Sequence, residues 1–406
     1  MDLKMHRVFG TKENIEYLDR EGVYLIPVRN NKVGVIQTPK GYFFLGGGLE
    51  SGENHKECIE RECMEEVGCL SYVKDKICSA EGYYKHSTIG YFHPVQNYYV
   101  GDLGEKIFTP AEKDHLLCWI DYEQLRGHMH VDMQNWALEQ MIFYQMSVPT
   151  QIQALIEDKP FIVDEVGMSG NQVLVFEDMV LKIETNSDGA EKQIKMMQWL
   201  QDRVLVPKVL AHEVKNDKSY LLMSKMDGKM SCDIEYLEQP NILLEALAEG
   251  LKSLWEADII GCPCMRDLDT ILSEARKRVE QDLVDIEDAE PTTFGENGFN
   301  NPEELLEWLE NNRPEFEPVL SHGDYCLPNI FLEDGHIKGY IDLGKTGIGD
   351  KWNDIALCYR SLKHNFDGTY GGRVYTNFDP NMLFEKLEIE PNWEKINYYL
   401  LLDELF

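Results

Sequence analysis

Residues 46–69 read GGGLESGENHKECIERECMEEVGC, a glycine-rich loop followed by a charged segment that ends near a glycine. On a helix, Glu62, Glu65 and Glu66 fall at positions i, i+3 and i+4, so their carboxylates converge on one side. Three close carboxylates repel one another unless a cation lies among them, and ligands that are all oxygen suit Mg²⁺ or Mn²⁺. The stretch therefore predicts a metal site behind a glycine loop, with Gly68 ending the helix.

This stretch resembles the Nudix box of the Nudix hydrolases. Gly47 is followed after five residues by Glu53, and after seven more by the segment Arg61–Cys69. Every specified position matches, and only hydrophobic slots that hold cysteine depart mildly. We expect Arg61 to pair with Glu53, which would fix the helix to the loop, and to point away from the three acids.

The resemblance spans about residues 18–140 and implies an α/β/α sandwich that hydrolyses a nucleoside diphosphate linked to another moiety with metal-activated water. It implies that Glu62, Glu65 and Glu66 bind the metal and that Glu65 and Glu66 act in catalysis. The catalytic base often lies outside the box in this family, and Glu112 is one candidate. The alternatives are a solvated acidic helix and a folded domain that serves only as a binding or packing module.

A second group of polar residues lies in residues 321–358, which read SHGDYCLPNIFLEDGHIKGYIDLGKTGIGDKWNDIALC. The runs IFLED and IKGYIDL, joined at Asp334–Gly335, predict a hairpin that returns Asp342 to the neighbourhood of Asn329. An aspartate such as Asp324, which can accept a hydroxyl proton, with an asparagine and an aspartate to hold magnesium, is the layout that phosphoryl transfer needs.

Upstream residues supply what a nucleotide would require. The turn Gly167–Asn171 precedes the strand QVLVF, and the next strand carries Lys182. A loop of backbone N–H groups followed by a strand lysine can hold ATP phosphates. Each feature alone is weak evidence, because exposed strand lysines and glycine turns are common. Together, in this order and at these separations along the chain, they indicate a nucleotide site.

From about Thr150 to Phe406 the chain closely resembles the aminoglycoside 3′-phosphotransferases, which implies a bilobal protein-kinase-like fold. Further matching segments are VPKVL at 206–210, LLMSKMDG at 221–228, DKWNDIALCYRSL at 350–362 and the ending WEKINYYLLLDELF. The family's function would be transfer of phosphate from ATP or GTP to an aminoglycoside hydroxyl. The alternative acceptor is a cellular sugar or nucleoside-like metabolite.

The resemblance assigns roles to individual residues. Asp324 would be the general base, Asn329 and Asp342 the magnesium ligands, and Lys182 the residue that binds the α- and β-phosphates. Ser169 lies in the loop that would cover the phosphates.

Four positions qualify that assignment. The family glutamate that pairs with the lysine falls on Gln193 here, so either Glu191 serves instead or the lysine lacks this ion pair. Val180 stands where close relatives stack an aromatic ring on adenine, so the choice between ATP and GTP stays open. Lys345 replaces a frequent arginine, and His322 orients the loop.

The segment Asp282–Arg313 holds ten carboxylates and one basic residue. In the family, this insert and the chain's final acids bind the ammonium groups of the antibiotic, and a polycationic sugar suits clustered carboxylates. The alternative is a solvated acidic loop. The expected acceptor-binding residues are Glu287, Asp288, Glu290, Asp403, Glu404 and the carboxylate of Phe406.

Composition limits the remaining function classes. The chain has 39 lysines and arginines against 72 aspartates and glutamates, a formal charge of −33. Such a surface repels phosphate backbones, so we expect no nucleic-acid partner, and it attracts cationic ligands and divalent metals. No apolar run approaches 18 residues and the start lacks a signal-peptide core, so we expect a cytoplasmic protein without a membrane partner.

The two halves of the chain have different patterns. Short strand-like runs dominate to about residue 120, namely VYLIPV, KVGVIQT, YFFLGG, GYFHPVQNYYVG and LLCWI. A helix is predicted for DMQNWALEQMIFYQ, and helical periodicity dominates from Pro240 onward. We predict a Nudix domain at 1–147 and a kinase-like domain at 148–406. The lobes of the latter would be about 148–227 and 228–406, and the oligomeric state stays open.

Overall fold

The computed structural model of the protein describes residues 5–30, 32–86, 90–110, 115–156, 159–164, 172–185, 187–295, 298–376 and 378–406. It divides into two compact units, Met1–Asp158 and Lys159–Phe406. The sequence placed the boundary between residues 147 and 148, just before a short helix that the structure groups with the first unit. Within the described ranges, no helix is both long and apolar enough to cross a membrane.

The first unit contains a mixed sheet. Its strands are β1 (Met5–Phe9), β2 (Leu18–Arg29), β3 (Lys32–Thr38), β4 (Gly41–Phe43), β5 (Leu45–Gly48), β6 (Cys69–Gly82), β7 (Tyr84–His86), β8 (Gly90–Lys106) and β9 (Leu116–Asp121). The sheet follows the order β1-β6-β8-β2-β3-β4, with β5 on β2, β7 on β8 and β9 on β3. The sequence predicted β2, β3, β8 and β9 but missed β6, because charged residues interrupt its alternation.

Helices of the first unit pack on this sheet. They are α1 (His55–Glu66), α2 (Tyr122–Leu125), α3 (Asp132–Gln145) and α4 (Thr150–Ile156). Cys58, Ile59 and Cys63 of α1 are fully buried and pack with Val23 and Leu25 of β2. The free, buried thiols of α1 thus serve as small apolar side chains, and α3 spans the segment predicted for it.

The second unit begins with an antiparallel sheet and one helix. The strands are β10 (Phe161–Asp164), β11 (Gln172–Phe176), β12 (Met179–Thr185), β13 (Val209–Lys215) and β14 (Lys218–Ser224), and the helix is α5 (Ser187–Leu200). Their order is β10-β11-β12-β14-β13. Strand β12 lies in the middle of this sheet, which places Lys182 opposite Leu221 of β14.

The remainder of the second unit is mainly helical. Its elements are β15 (Lys229–Met230), α6 (Ile234–Leu237), α7 (Pro240–Glu256), α8 (Leu268–Glu280), α9 (Pro302–Asn311), β16 (Pro318–Ser321), β17 (Ile330–Glu333), β18 (His336–Tyr340), β19 (Gly347–Asp350), α10 (Lys351–Asp367), α11 (Met382–Leu387) and α12 (Trp393–Asp403). Helices α7, α10 and α12 contribute to one apolar core. Strand pairs β16–β19 and β17–β18 lie beside it and carry the polar residues described next.

Candidate active sites

Helix α1 begins directly after the glycine loop, and a capping box fixes that start. The side chain of Asn54 accepts the backbone N–H groups of Lys56 at 3.0 Å and Glu57 at 3.1 Å. The carboxylate of Glu57 in turn accepts the N–H of Asn54 at 2.8 Å. This reciprocal arrangement pairs backbone donors that the first turn would leave unsatisfied, so the register of the acids that follow is set.

Arg61 ties the helix to the loop. Its guanidinium donates to both carboxylate oxygens of Glu53, at 2.9 and 3.0 Å, and to the carbonyl of Gly48 at 3.1 Å. This hydrogen bonding lowers the pKa of Glu53 to about 2. The predicted pair is therefore present. The expectation that Arg61 points away from the acids was wrong, because its third nitrogen lies 2.8 Å from Glu62 and 3.4 Å from Glu65.

Two of the three acids are enclosed by Gly46–Gly48, here still named the glycine loop, although the structure places these residues in strand β5, paired with β2, and not in the predicted loop. Gly46 donates its N–H to Glu66 at 3.0 Å. A Cβ on Gly47 would lie 2.4 Å from a carboxylate oxygen of Glu62, so a larger residue there would push the Glu62 carboxylate out of its present position. The carboxylates of Glu62 and Glu66 are largely buried, whereas the side chain of Glu65 is 54% exposed.

The electrostatics around this pair suit a cation. The pKa of Tyr24 is raised to about 12 by burial and then by the negative charges of Glu62 and Glu66. Oxygen donors in such a field match Mg²⁺ or Mn²⁺. Among the residues that the structure describes, however, no three His, Cys, Asp or Glu side chains form a group that could hold a metal. The predicted three-carboxylate cluster is thus reduced to two carboxylates, with Glu65 beside Arg61.

A histidine that the sequence analysis did not single out also reaches this site. His115 Nδ1 lies 3.5 Å from Glu66 Oε1. No spacing signal marks it in the sequence, because it follows the acids by almost fifty residues. Glu112, the candidate base, lies outside the described residues.

In the second unit, the hairpin predicted from the sequence is present. Strands β17 and β18 pair antiparallel, and Asp334 and Gly335 between them have φ of 53° and 79°. Positive φ at both central residues is typical of the tightest hairpin turns. After β18 the chain returns to its start, where Ile341 donates its N–H to the carbonyl of Asn329 at 2.9 Å. Asp342 is the next residue after Ile341, so the hairpin returns it to the neighbourhood of Asn329, as the sequence predicted.

The segment between β16 and β17, here the Asp324 loop (residues 322–329), is held by side-chain contacts. The amide of Asn329 donates to Asp324 Oδ2 at 2.9 Å and to the Asp324 carbonyl at 3.1 Å. His322 accepts the N–H of Asp324 at Nδ1, at 3.3 Å, and donates from Nε2 to the carbonyl of Ile341 at 3.0 Å. His322 is buried, which fits the predicted orienting role.

Asp354 supports the same loop, a role that the sequence analysis missed. It lies fully buried on α10, and its carboxylate accepts the backbone N–H groups of His322 at 2.8 Å and Gly323 at 2.9 Å. Burial raises the pKa of this carboxyl group. The sequence signal that could have revealed this role is the single acid in the apolar run DIALC, because an acid buried among apolar residues needs hydrogen-bond partners.

Lys182 on β12 points toward two carboxylates. Its ammonium lies 2.7 Å from Glu184 Oε1 and 3.4 Å from Asp342 Oδ1. Burial lowers the pKa of Lys182, but Asp342 and Glu184 outweigh it, so the net pKa is raised. Asp342 has left-handed backbone angles of 55° and 59°. A non-glycine residue keeps such angles only where the surrounding structure holds it. The carboxylate of Asp342 and the amide oxygen of Asn329 are the kinds of oxygen ligand that a divalent ion binds.

The structure places the other nucleotide candidates differently. Glu191 is 70% exposed and lies 3.8 Å from Lys195, one turn along α5, so the suggestion that it pairs with Lys182 is not met. Gln193 is buried. Ser169 lies outside the described residues.

The acidic insert and the end of the chain meet. Glu290 donates its backbone N–H to Glu404 at 2.9 Å, and its carboxylate lies 3.2 Å from Nε2 of the buried His364. Burial raises the pKa of Glu404. Glu287 and Asp288 are exposed. Of the predicted acids, the structure therefore brings Glu290 and Glu404 together and leaves Glu287 and Asp288 exposed. The prediction missed His364, whose partner Glu290 is more than 70 residues away.

The terminal residues also have internal cationic partners. Arg360 contacts the carboxylates of both Asp403 and Glu404, the latter at 3.1 Å. Lys345 Nζ lies 3.6 Å from Asp403 and 5.2 Å from the centre of the Phe406 ring. These acids are consequently ordered and partly neutralised.

A cavity joins the Asp324 loop to these terminal residues. Gly323, Lys345 and Asn353 line it together with Asp403 and Phe406. A ligand in this cavity would touch the Asp324 loop and the terminal acids at once.

Comparisons with known proteins match both units. The model of the phosphotransferase enzyme family matches residues 165–383, and that of the NUDIX domain matches residues 18–141. An aminoglycoside 3′-phosphotransferase from Enterococcus faecalis is 37% identical over 275 residues, covering 64% of this chain and 99% of the relative. One from Staphylococcus aureus is 36% identical over 274 residues, with the same coverage.

Solved structures resemble the second unit. A type VIII aminoglycoside 3′-phosphotransferase is 25% identical, covers 63% of this chain and 97% of its own, and has a TM-score of 0.55. An aminoglycoside phosphotransferase from Streptomyces rimosus, in complex with ADP and streptomycin, is 22% identical with a TM-score of 0.53, covering 66% of this chain and 98% of its own. The bilobal kinase-like fold predicted from the sequence is confirmed, as is the two-domain class.

Proposed function

This chain belongs to the phosphotransferase enzyme family, and we propose on that premise that its Lys159–Phe406 unit transfers the γ-phosphate of ATP or GTP to a hydroxyl group of an aminoglycoside. Two relatives bear the name of this activity, and a fold neighbour was solved with ADP and streptomycin. The observation that carries the proposal is the cavity shared by Gly323, Asp403 and Phe406. Acids in and beside it can make several charge-assisted hydrogen bonds to a polycationic sugar.

In this reaction Asp324 accepts the proton of the acceptor hydroxyl. Asn329 orients that carboxylate through its 2.9 Å hydrogen bond, and Asp354 fixes the loop that carries it. As the hydroxyl oxygen forms its bond to the γ-phosphorus, the bond to the β–γ bridging oxygen breaks and the nucleoside diphosphate leaves. The proton then passes from Asp324 to solvent.

The nucleotide lies between the two lobes of this unit, with the sheet β10–β14 and α5, within residues 159–227, as the nucleotide lobe and residues 228–406 as the acceptor lobe. Lys182 binds the α- and β-phosphates, and the family resemblance adds Ser169, which lies outside the described residues. Mg²⁺, when held by Asn329 and Asp342, would supply positive charge beside the phosphates. ATP-dependent chemistry and the free cysteines favour a cytoplasmic location.

Steady-state assays with kanamycin and neomycin, each with ATP and GTP, test the proposal. We expect nucleoside diphosphate release that depends on the aminoglycoside and a product heavier by one phosphate in mass spectrometry. If none of the four combinations yields product while the protein still binds MgADP, the acceptor is a cellular sugar or nucleoside-like metabolite.

For the Met1–Asp158 unit we propose metal-dependent hydrolysis of a nucleoside diphosphate linked to another moiety. Glu62 and Glu66 at the glycine loop support it, because they are the enclosed carboxylates and would hold Mg²⁺ or Mn²⁺. Arg61 contacts both Glu62 and Glu65, at 2.8 and 3.4 Å, so a metal would compete with Arg61 for these two carboxylates. A panel of nucleoside triphosphates, ADP-ribose and dinucleoside polyphosphates with Mn²⁺ tests this function. Absence of hydrolysis throughout would leave the unit as a packing or binding module.

A further inference from the structure

The strand that carries Lys182 also carries its nearest acid. Residues two apart on β12 project from the same face of the sheet, and Lys182 Nζ lies 2.7 Å from Glu184 Oε1. The two side chains are only 18% and 21% exposed. Because solvent screens a pair at this depth less than a surface pair, the contact restrains where the lysine ammonium lies.

Among the described side chains of helix α5, no acid contacts Lys182 in this way. Glu191 extends into solvent, 70% exposed and beside Lys195. Gln193 is buried but carries no charge. The ion pair that fixes Lys182 therefore lies within the sheet and does not depend on the position of the helix.

Lys182 has a second acid within reach, Asp342, whose oxygen is 3.4 Å away and whose side chain is 52% exposed. Without the charge of Glu184, Asp342 would be the carboxylate left in contact with Lys182 among the described residues. The ammonium would then turn toward Asp342 and compete there with any divalent ion, since both bind the same oxygens.

We propose that Glu184 is the positioning residue for Lys182. It holds the ammonium on the face of β12 at 2.7 Å, so that the contact of Lys182 with Asp342 stays the longer of the two, at 3.4 Å. This role rests on the proposed kinase function of the second unit and adds a residue to it.

E184Q in the full chain is the test, with two measurements: calorimetric titration with MgADP, and steady-state constants for ATP and kanamycin. A lost hydrogen bond between charged groups predicts that the MgADP dissociation constant and the KM for ATP each rise about tenfold. The KM for kanamycin should stay unchanged, which a general structural defect would not allow, and thermal melting checks that the variant is folded at the assay temperature. E333Q is the control, because Glu333 forms a more exposed lysine pair, with Lys338 at 2.5 Å on the β17–β18 hairpin.

Wild-type MgADP affinity in a folded E184Q variant would overturn the proposal. So would loss of affinity in E191Q but not in E184Q, because the helix acid would then be the partner. If E184Q fails to fold, E184D decides, since its carboxylate is one methylene shorter; wild-type affinity in E184D would contradict the role. A wild-type chain that binds MgADP but phosphorylates no aminoglycoside would contradict the proposed acceptor. The MgADP titration would still test the role of Glu184 in that case.

Discussion

The carboxylate of Asp354 lies 2.8 Å from the backbone nitrogen of His322, and this hydrogen bond fixes the Asp324 loop from the first turn of helix α10. The same carboxylate accepts the N–H of Gly323 at 2.9 Å. Two backbone donors converging on one fully buried carboxylate are stronger than neutral pairs. The geometry of Asp324, the proposed general base, therefore depends on a side chain that lies buried on α10.

We expect D354N to lose most of the phosphotransferase kcat, by roughly 10- to 100-fold, because a 1 Å displacement of a reacting group can cost that much. The new amide presents an N–H₂ group to one of two backbone donors, which should also destabilise the unit by about 1–3 kcal/mol. Kinetics with kanamycin and thermal unfolding measure both effects. D367N, an exposed acid at the end of the same helix, is the control. Unchanged kcat and melting in D354N would contradict the assignment.

Asp324 itself should matter for the chemical step alone. General-base catalysis contributes about 10²–10⁴-fold to a rate, so D324N should lower kcat in that range and leave MgADP affinity unchanged. Single-turnover kinetics and the ADP titration separate the two quantities. A D324N enzyme that keeps more than a tenth of wild-type kcat would remove Asp324 as the base.

Gly323 is required where two loops touch. Its φ is +83°, and a Cβ there would lie 2.1 Å from the carbonyl oxygen of Lys345. G323A should therefore displace the Asp324 loop and reduce kcat at least as strongly as D354N. G189A, at a helix position with nothing within 4 Å, is the control and should be neutral or slightly stabilising. Equal activity of the two variants would show that the loops are not constrained at this contact.

The local parts of both sites were predictable from sequence. Glu62 and Glu66 share a helix face because of their spacing, and the Asp334–Gly335 turn returns Asp342 to Asn329. These features depend on helix period, turn chemistry and strand pairing, which are properties of neighbouring residues.

The contacts that were missed join distant segments. His364 meets Glu290 from 74 positions away, and Asp354 reaches back 32 positions to the His322 N–H. Packing of helices decides such pairs, and no periodic pattern encodes them. Glu184 differs, because it lies two residues from Lys182 on the same strand. It was overlooked because the family glutamate lies on the helix, where Gln193 takes its position and the nearby Glu191 contacts Lys195 instead.

In the first unit, substitution of the enclosed acids of α1 should affect hydrolysis, whereas substitution of an exposed acid on the same helix should not. E62Q and E66Q should abolish Mn²⁺-dependent hydrolysis of whichever compound in the nucleotide panel proves active, because each removes charge next to the glycine loop. E60Q should retain it, since Glu60 is exposed and pairs only with Lys56 at 3.7 Å. Phosphotransferase activity should be the same in all three. Full hydrolysis by E66Q would exclude a catalytic metal at the loop.

The acid sensitivity of the second unit should depend on Glu317. Burial raises its pKa, but hydrogen bonds from Lys351, Lys395 and Trp352 outweigh that and lower the pKa from 4.5 to about 2. Because the folded-state pKa lies below the unfolded value, the stabilisation is complete above pH 4.5 and is lost as the pH falls toward about 2. E317Q should thus unfold earlier than wild type at pH 7, by about 1 kcal/mol after allowing for partial exposure.

Thermal unfolding of E317Q and wild type from pH 7 to pH 2 measures this window. The gap between their melting temperatures should be constant down to about pH 4.5 and close by about pH 2, because protonated glutamate and glutamine then offer similar groups to Lys395. E390Q, an exposed acid before α12, should show no gap at any pH. A gap for E317Q that persisted unchanged at pH 2 would mean that packing, and not the charge of Glu317, stabilises this part of the fold.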